Sequence, residues 1–298
     1  MTTGVVSPHD VSAAAICWGQ GPHAFELRSA DSRVLSRADV VFRPWTTAAA
    51  SAAPTRSWTV LPQAGVAGSW TLRRGGADDV MVPAEPAAAV RYAEFLAVQA
   101  ILDSPPDVLT LHAALVARDG HGVLIAGLPE AGKSTLACAL WQSGFSLLGD
   151  DVAIVDAETG RAAPAPRRVS LRRSSRALLG EDLWTRIHAA PATDVTAEGC
   201  VFHPDEVEGA RPSSTTLAAI VFLARTGAAP MRELARPIPG AHAALALLPY
   251  SNLIRRIDAG TLISRLAPLA ASTPAYDLRR AALPEMVAAV GALIGRRP

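Results

Sequence analysis

Gly127-Leu128-Pro129-Glu130-Ala131-Gly132-Lys133-Ser134-Thr135 is the stretch that decides the reading of this 298-residue chain. It fills every defining position of G-x-x-x-x-G-K-[ST], the Walker A phosphate-binding loop. An apolar strand, residues 122–126, precedes it, and a helix-forming stretch, residues 136–142, follows it. In that setting backbone N–H groups and a helix N-terminus surround the phosphates of a nucleotide. Glycines are needed because a side chain would hold the backbone away from the anion. The sequence thus predicts ATP contacts through Gly127, Glu130, Ala131, Gly132, Lys133, Ser134 and Thr135. Lys133 would meet the outer phosphates, and the Ser134 hydroxyl would bind Mg²⁺. A Gly-rich strand-to-helix turn without a ligand is the alternative.

The second informative feature is Asp150-Asp151, seventeen residues beyond Lys133. The helix after the loop carries the chain away from the phosphates, and a strand over 145–148 returns it. If that strand neighbours the loop strand, its carboxyl end lies beside the phosphates. Two carboxylates then stand where Mg²⁺ and an acceptor hydroxyl must meet. Phosphoryl transfer needs positioning, charge neutralisation by the metal, and a carboxylate that takes the acceptor's proton. Gly-Asp-Asp is also common turn chemistry, so a strand-ending turn is the competing reading.

Half of the residues are hydrophobic and 18% are charged, enough for a sizeable core in one large domain or two modest ones. A net charge of +1 gives no general attraction to nucleic acid or anionic membrane. Cys17, Cys138 and Cys200 are widely separated and odd in number, which argues against a disulfide framework or zinc cluster and fits a reducing cytoplasm. Residues 1–4 lack the basic start of a secretory signal. The apolar stretch 87–102 carries Arg91 and Glu94 and is too short and polar to span a bilayer. A cytoplasmic protein is expected.

Short strand-like pieces at 23–27, 57–61 and 69–72 mark the first hundred residues, with an Ala/Ser/Thr/Pro-rich linker at 46–55. A helix over 87–102 stops before Asp103-Ser104-Pro105-Pro106, where a domain boundary is expected. Beyond it the pattern predicts strands over 109–117, 122–126, 145–148, 152–155, 217–224 and 275–278, and helices over 136–142, 261–269 and 284–294. This is an α/β protein with a small strand-rich α+β N-terminal module, 1–104, and a P-loop domain, 105–298. The N-terminal module is a candidate for substrate docking.

The spacing from loop to aspartates is short for most phosphate-loop NTPases. It resembles the catalytic domain of HPr kinase/phosphorylase, the bacterial serine kinase family. The match lies in Leu111-His112-Ala113-Ala114, Gly122-Val123-Leu124-Ile125, the loop at 127–134, and Gly144-Phe145-Ser146-Leu147-Leu148-Gly149-Asp150-Asp151. It covers residues 105–175 well and extends loosely to the C-terminus. The resemblance implies a P-loop kinase core of HPr kinase type, a mixed sheet flanked by helices. It implies Asp150 as the base that activates a hydroxyl and Asp151 as a contributor to Mg²⁺ binding. It also places His112 near the transferred phosphate or against the carboxylate; by itself a strand histidine reads as a structural residue.

Departures from the family narrow the expectation. Pro129 and Glu130 stand in the loop where the family has Ser and Gly. The downstream Glu-x-Arg-Gly signature, tied to phosphorolysis, is absent, so phosphorylase activity is not expected. The first hundred residues do not look like the family's N-terminal domain, which makes HPr a poor candidate substrate. Related stand-alone kinases in clusters for ribosomally made peptides, including lasso peptides, phosphorylate a peptide serine, and the length and unrelated N-terminal module resemble that group.

Residues 167–176 hold five arginines. They read either as a solvated face or as a clamp on phosphate or an acidic peptide, with Arg167 and Arg172 as the candidate clamp residues. Without interleaved aromatics they do not suggest nucleic acid. His203, Asp205, Glu206 and Glu208 lack convincing ligand spacing and read as a solvated loop. Cys138 is expected to be packed. The tryptophans at 18, 45, 58 and 70 read as core, or as a peptide-docking groove. The sequence therefore points to a kinase acting on a peptide or protein hydroxyl, with room for a homo-oligomer. A small-molecule alcohol kinase and a non-catalytic nucleotide-binding module are the alternatives.

Overall fold

The computed structural model describes residues 14–20, 23–45, 56–62, 70–74, 80–82, 85–102, 109–164, 166–223 and 233–294. The chain divides into two compact units, Met1–Ile101 and Leu102–Pro298. The linker expected at 46–55 and the Pro105-Pro106 boundary lie outside the described residues.

The first unit contains β1 (Ala14–Gln20), β2 (His23–Ser29), α1 (Ser32–Phe42), β3 (Arg56–Pro62), β4 (Trp70–Arg74), β5 (Val80–Val82) and α2 (Pro86–Leu102). The five strands pair in sequence order, antiparallel except for the parallel β2–β3 pair. A parallel pair needs a crossover, and α1 provides it. Asp31 starts that helix by accepting the Arg33 amide at 2.7 Å. Trp18, Phe25, Phe42, Trp45 and Trp58 are fully buried, with Trp18 stacked on Phe42 at 3.8 Å between ring centroids. Trp18, Trp45 and Trp58 are therefore core residues; the side chain of Trp70 lies outside the described set.

The second unit is a mixed α/β structure. Its elements are β6 (Leu109–Leu111), β7 (Ala113–Arg118), β8 (His121–Ala126), α3 (Lys133–Gln142), β9 (Ser146–Gly149), β10 (Ala153–Val155), β11 (Arg161–Pro164), β12 (Val169–Arg172), α4 (Arg176–Leu179), α5 (Glu181–Ala189), β13 (Asp194–Val195), β14 (Gly199–Phe202), α6 (Pro204–Glu208), β15 (Thr215–Leu223), β16 (Ala235–Ile238), α7 (Gly240–Leu247), α8 (Ala259–Ser272), β17 (Ala275–Leu278) and α9 (Leu283–Ile294). Nine strands form one sheet in the order β6-β10-β11-β15-β8-β7-β9, with β17 and then β16 added beside the C-terminal half of β15. Strands β8, β15 and β17 are parallel. A second sheet has the order β12-β14-β13.

Near-continuous apolar runs form the central strands because both faces of the large sheet are covered. Val123, Ile125, Val221 and Leu223 pack with Leu136 and Leu140 of α3 and Val290 of α9. The alternate residues Leu124, Ala126, Ile220 and Phe222 pack with Leu247 of α7 and Leu262 and Leu266 of α8. Among the described residues no helix is long and apolar enough to cross a membrane.

The strand expected over 109–117 is broken at His112. Leu111 pairs with Ala153 in β10, whereas Leu115 pairs with Gly149 in β9. The two ladders therefore meet at a bend, with His112 on one segment and residues 150–152 on the other. At the bend the His112 amide leaves the ladder and donates to Tyr250 O at 2.6 Å. Continuous apolar alternation in sequence does not reveal such a break.

Candidate functional site

The loop joins β8 to α3, and its backbone conformation follows from a few residues. Gly132 is the residue before the helix and has φ 96°, a left-handed conformation that favours glycine. Glu130 also has a positive φ of 65°, which is strained for a side chain of this kind. A Cβ at Gly127 would stand 3.2 Å from Ala131 Cβ and Leu223 Cβ, so glycine lets the loop lie close against β15 without displacing them. Gly132 offers no side-chain cap, and the first amides of α3 have no partner within the helix. An anion is the natural partner for such a terminus.

Lys133 is 6% exposed and folds back over the loop, donating from Nζ to Gly127 O at 3.0 Å and Leu128 O at 3.3 Å. Burial pulls its pKa down, while Asp151 and Asp150 oppose the shift. The two aspartates thus act on the loop's cation electrostatically from the far side of the bend.

Asp150 follows β9 directly and is 3% exposed. Its Oδ2 accepts the Ser170 amide at 3.1 Å. Burial, then the neighbouring Asp151 charge, pushes its carboxyl up to about 7, against the opposing effects of Arg167, the Ser170 amide and Ser134. Asp151 is more open. Its Oδ2 pairs with Arg167 Nη1 at 3.1 Å, and its Oδ1 lies 4.0 Å from His112 Nε2.

His112 Nδ1 lies 3.1 Å from the Asp151 carbonyl, a contact that requires a proton on Nδ1. Burial lowers the His112 pKa despite Asp151. The ring is therefore neutral at pH 7, and the 4.0 Å contact with Oδ1 is not an ion pair.

The arginine run divides its members among different partners. Arg167 holds Asp151, and Arg172 Nη1 meets Glu130 Oε1 at 2.9 Å with both side chains largely exposed. Arg168 departs from the solvated-face reading: its side chain is fully buried and donates to Asp194 Oδ2 at 2.7 Å and Ala192 O at 2.8 Å. A run of arginines in sequence carries no mark of which one turns inward. The reading of 203–208 as a solvated loop is also corrected. Pro204–Glu208 is helix α6, and His203 before it is fully buried. Asp205 pairs with Arg211, Glu206 accepts the Ala192 amide, and Glu208 pairs with Arg186. Cys138 is buried with its thiol pKa raised well above normal by burial, the state of an inert packed thiol.

His112, Glu130, Ala131, Gly132, Lys133, Ser134, Thr135, Asp150, Asp151 and Arg172 all line one cavity of about 700 Å³. Gly127 and Arg167 are not part of the lining but contact residues that are, Lys133 and Asp151. Residues not anticipated from sequence complete the wall: Ser170, Ser174, Ser175, Leu178, and Arg280 to Leu283 with Met286. Thr135 Oγ1 and Ser175 Oγ are 2.8 Å apart, tying the helix start to that wall. None of these carries a local motif; they reach the cavity through tertiary packing.

The donor set fits Mg²⁺. A serine hydroxyl and two carboxylates are hard oxygen ligands, and the charge on Asp150 that burial and then Asp151 disfavour is what a divalent cation would stabilise. Among the described residues no three His, Cys, Asp or Glu side chains form a cage of their own. A cation here would share its shell with phosphate oxygens and water.

No protein family's profile matches the chain, and no curated protein matches it. Among solved structures the chain is similar to the Hpr(Ser) kinase/phosphatase from Coxiella burnetii, with 17% identity and a TM-score of 0.35 over 61% of this chain and 93% of that one.

Proposed function

We propose that the second unit is an ATP- and Mg²⁺-dependent kinase that transfers the γ-phosphoryl group to a serine-type hydroxyl of a peptide or protein. The observation that carries the reading is that one cavity is lined by the phosphate loop, with Lys133 and Ser134, and by the buried carboxylate of Asp150. A module that only binds nucleotide has no need of a proton acceptor at that point.

Loop amides and Lys133 hold the β- and γ-phosphates. Ser134 and Asp151 would hold Mg²⁺, which when bound would supply charge neutralisation on the phosphate oxygens. Asp150, held near neutral pKa, takes the acceptor's proton. As it does so, the acceptor oxygen bonds to the γ-phosphorus and the bond from that phosphorus to the β-phosphate bridging oxygen breaks. Arg167 keeps Asp151 in place, and neutral His112 orients it through the backbone carbonyl at the bend. The peptide substrate, of the kind modified in natural-product biosynthesis, and a cytoplasmic setting belong to the same proposal.

Mass spectrometry of serine-containing peptides after incubation with Mg²⁺-ATP tests the reading. The expected product is heavier by one phosphoryl group and is not formed by Asp150→Asn. Tight ATP binding with no transfer to peptides or small alcohols would leave only a binding module.

A further inference from the structure

Three serines outside the phosphate loop line the cavity: Ser170, Ser174 and Ser175. Their hydroxyls stand in different situations. Ser175 is 5% exposed, and its Oγ is tied to Thr135 Oγ1 at 2.8 Å. Ser174 is exposed and has no hydrogen bond to Asp150 among the described residues. Ser170 is exposed as well, and its amide donates to Asp150 Oδ2 at 3.1 Å. Of the three, Ser170 is the one fixed against the buried carboxylate.

Strand geometry aims its side chain. Along β12 the side chains alternate, with Val169 and Leu171 buried and Ser170 and Arg172 exposed. Ser170 and Arg172 both line the cavity, so the exposed face of β12 is cavity wall. Covalent geometry keeps a serine Oγ within about 4 Å of its own amide nitrogen in every rotamer. With that nitrogen 3.1 Å from Asp150 Oδ2, the hydroxyl is never more than about 7 Å from the carboxylate. Rotation about the Cα–Cβ bond closes that gap to direct contact or to one bridging water. Lys133 and Ser134 of the phosphate loop line the same cavity. The chain thus carries a hydroxyl of its own beside the proposed base, and a hydroxyl built into the chain does not diffuse away between encounters.

We propose that Ser170 is a self-phosphorylation site, modified in cis by the donor bound on the phosphate loop. The Ser170 oxygen bonds to the γ-phosphorus, and the bond from that phosphorus to the β,γ-bridging oxygen breaks. The hydroxyl proton passes to Asp150, and the products are phosphoserine and ADP. Arg172 lies two positions along the same strand face and supplies a cation for the added charge, in exchange for its exposed pairing with Glu130. The inference rests on the phosphoryl-transfer reading and adds to it an acceptor that the chain itself contains.

Mass spectrometry of the full chain after incubation with Mg²⁺-ATP and no other acceptor tests this. The expected product is the chain heavier by one phosphoryl group, with fragmentation placing the group on Ser170. The first-order rate of labelling stays constant as the protein is diluted, the mark of transfer in cis. Ser170→Ala, at an exposed position and with its amide kept, loses the label; Ser174→Ala retains it; Lys133→Ala and Asp150→Asn lose it. A label on another residue, or a rate that rises with protein concentration, overturns the proposal. Absence of label from a preparation that phosphorylates a peptide overturns the self-modification alone. Labelling of Ser170 without transfer to any peptide upholds it and removes only the peptide substrate. A wild-type chain that transfers phosphate neither to itself nor to any added hydroxyl overturns the kinase reading and this proposal with it.

Discussion

The two halves of the cavity are built in opposite ways. The phosphate half is contiguous: residues 127–135 form a loop and a helix start whose shape depends on two glycines and on backbone amides. The acceptor half is assembled from separate places, with His112 at a broken strand, Asp150-Asp151 at the bend facing it, and Arg167 and Ser170 from the strand region beyond. A contiguous half can be disabled only at its own residues, because its geometry is local. A dispersed half can be disabled from residues that never touch a substrate. Each prediction below separates these two behaviours.

The largest effect is expected from Lys133→Ala. Removing the only cation on the loop itself should reduce phosphoryl transfer about a thousandfold and weaken nucleotide binding in parallel. Thermal stability should change little, because Nζ bonds only to carbonyls of its own loop. Transfer rates and melting temperature measured together check this, and a large fall in melting temperature would show that the loop is not self-contained.

Asp150→Asn should lower kcat about a hundredfold or more with nucleotide affinity retained. Asp151→Asn should instead raise the Mg²⁺ concentration required; exchange of these two phenotypes would exchange the base and metal assignments. The pH dependence has a definite sign. The Asp150 carboxyl lies near 7 in the folded chain and near its ordinary value of 3.8 unfolded, so folding takes up a proton between those limits. Stability therefore falls as pH rises from about 4 to about 7 and stays lower above that. Asp150→Asn should remove this cost: unchanged stability at pH 4, and a gain of a few kcal/mol, about 4 at most, at pH 8. Transfer by the wild-type enzyme should rise with pH as the base ionises, with a midpoint below the metal-free value of about 7 because bound Mg²⁺ favours the carboxylate. Equal melting temperatures for variant and wild type at pH 8 would sink the claim that burial of Asp150 is costly.

Arg168 tests whether the acceptor half depends on a distant anchor. It lies between Arg167, which holds Asp151, and Ser170, whose amide holds Asp150, and it is fixed to Asp194 in the interior. Arg168→Met leaves Asp194 buried without this cation and should cost about 3 to 5 kcal/mol. The paired change Arg168→Met with Asp194→Leu should recover most of that stability. Transfer should remain impaired in the paired variant through kcat rather than nucleotide affinity, since the phosphate half does not use this anchor.

This division also explains what was legible in the sequence. The loop residues carry their geometry in their own identities, because glycine at a left-handed position and lysine at a helix start say what the backbone does. Strand positions such as 122–126 and 275–278 were legible from apolar patterning for the same local reason. The break at His112 was not, because it depends on which strand each side of the bend joins. Arg168 and Arg172 look alike in a charged run, and only the packing of β12 against β14 and the segment before β13 turns one inward. Leu178 and Arg280 reach the cavity through the placement of whole helices and strands, which no residue nearby announces.

Glu130→Gly carries the smallest expected effect and bears on an ion-pair tie between the halves. Glu130 is in the contiguous loop, yet its carboxylate meets Arg172 of β12. Two opposing terms decide its effect on stability. The pair is about two-thirds exposed on both sides, so losing it costs under about 1 kcal/mol. Relief of the positive φ at residue 130 returns about 1 kcal/mol, partly offset by the greater freedom of glycine in the unfolded chain. Stability should therefore stay within about 1 kcal/mol of wild type. Affinity for ATP should rise about threefold, because a carboxylate is removed beside the phosphates and Arg172 is released toward them. Glu130→Gln removes the charge but keeps the strained backbone. If it reproduces the gain, the tie between the halves is electrostatic; if only glycine does so, even this position of the loop acts through its own backbone.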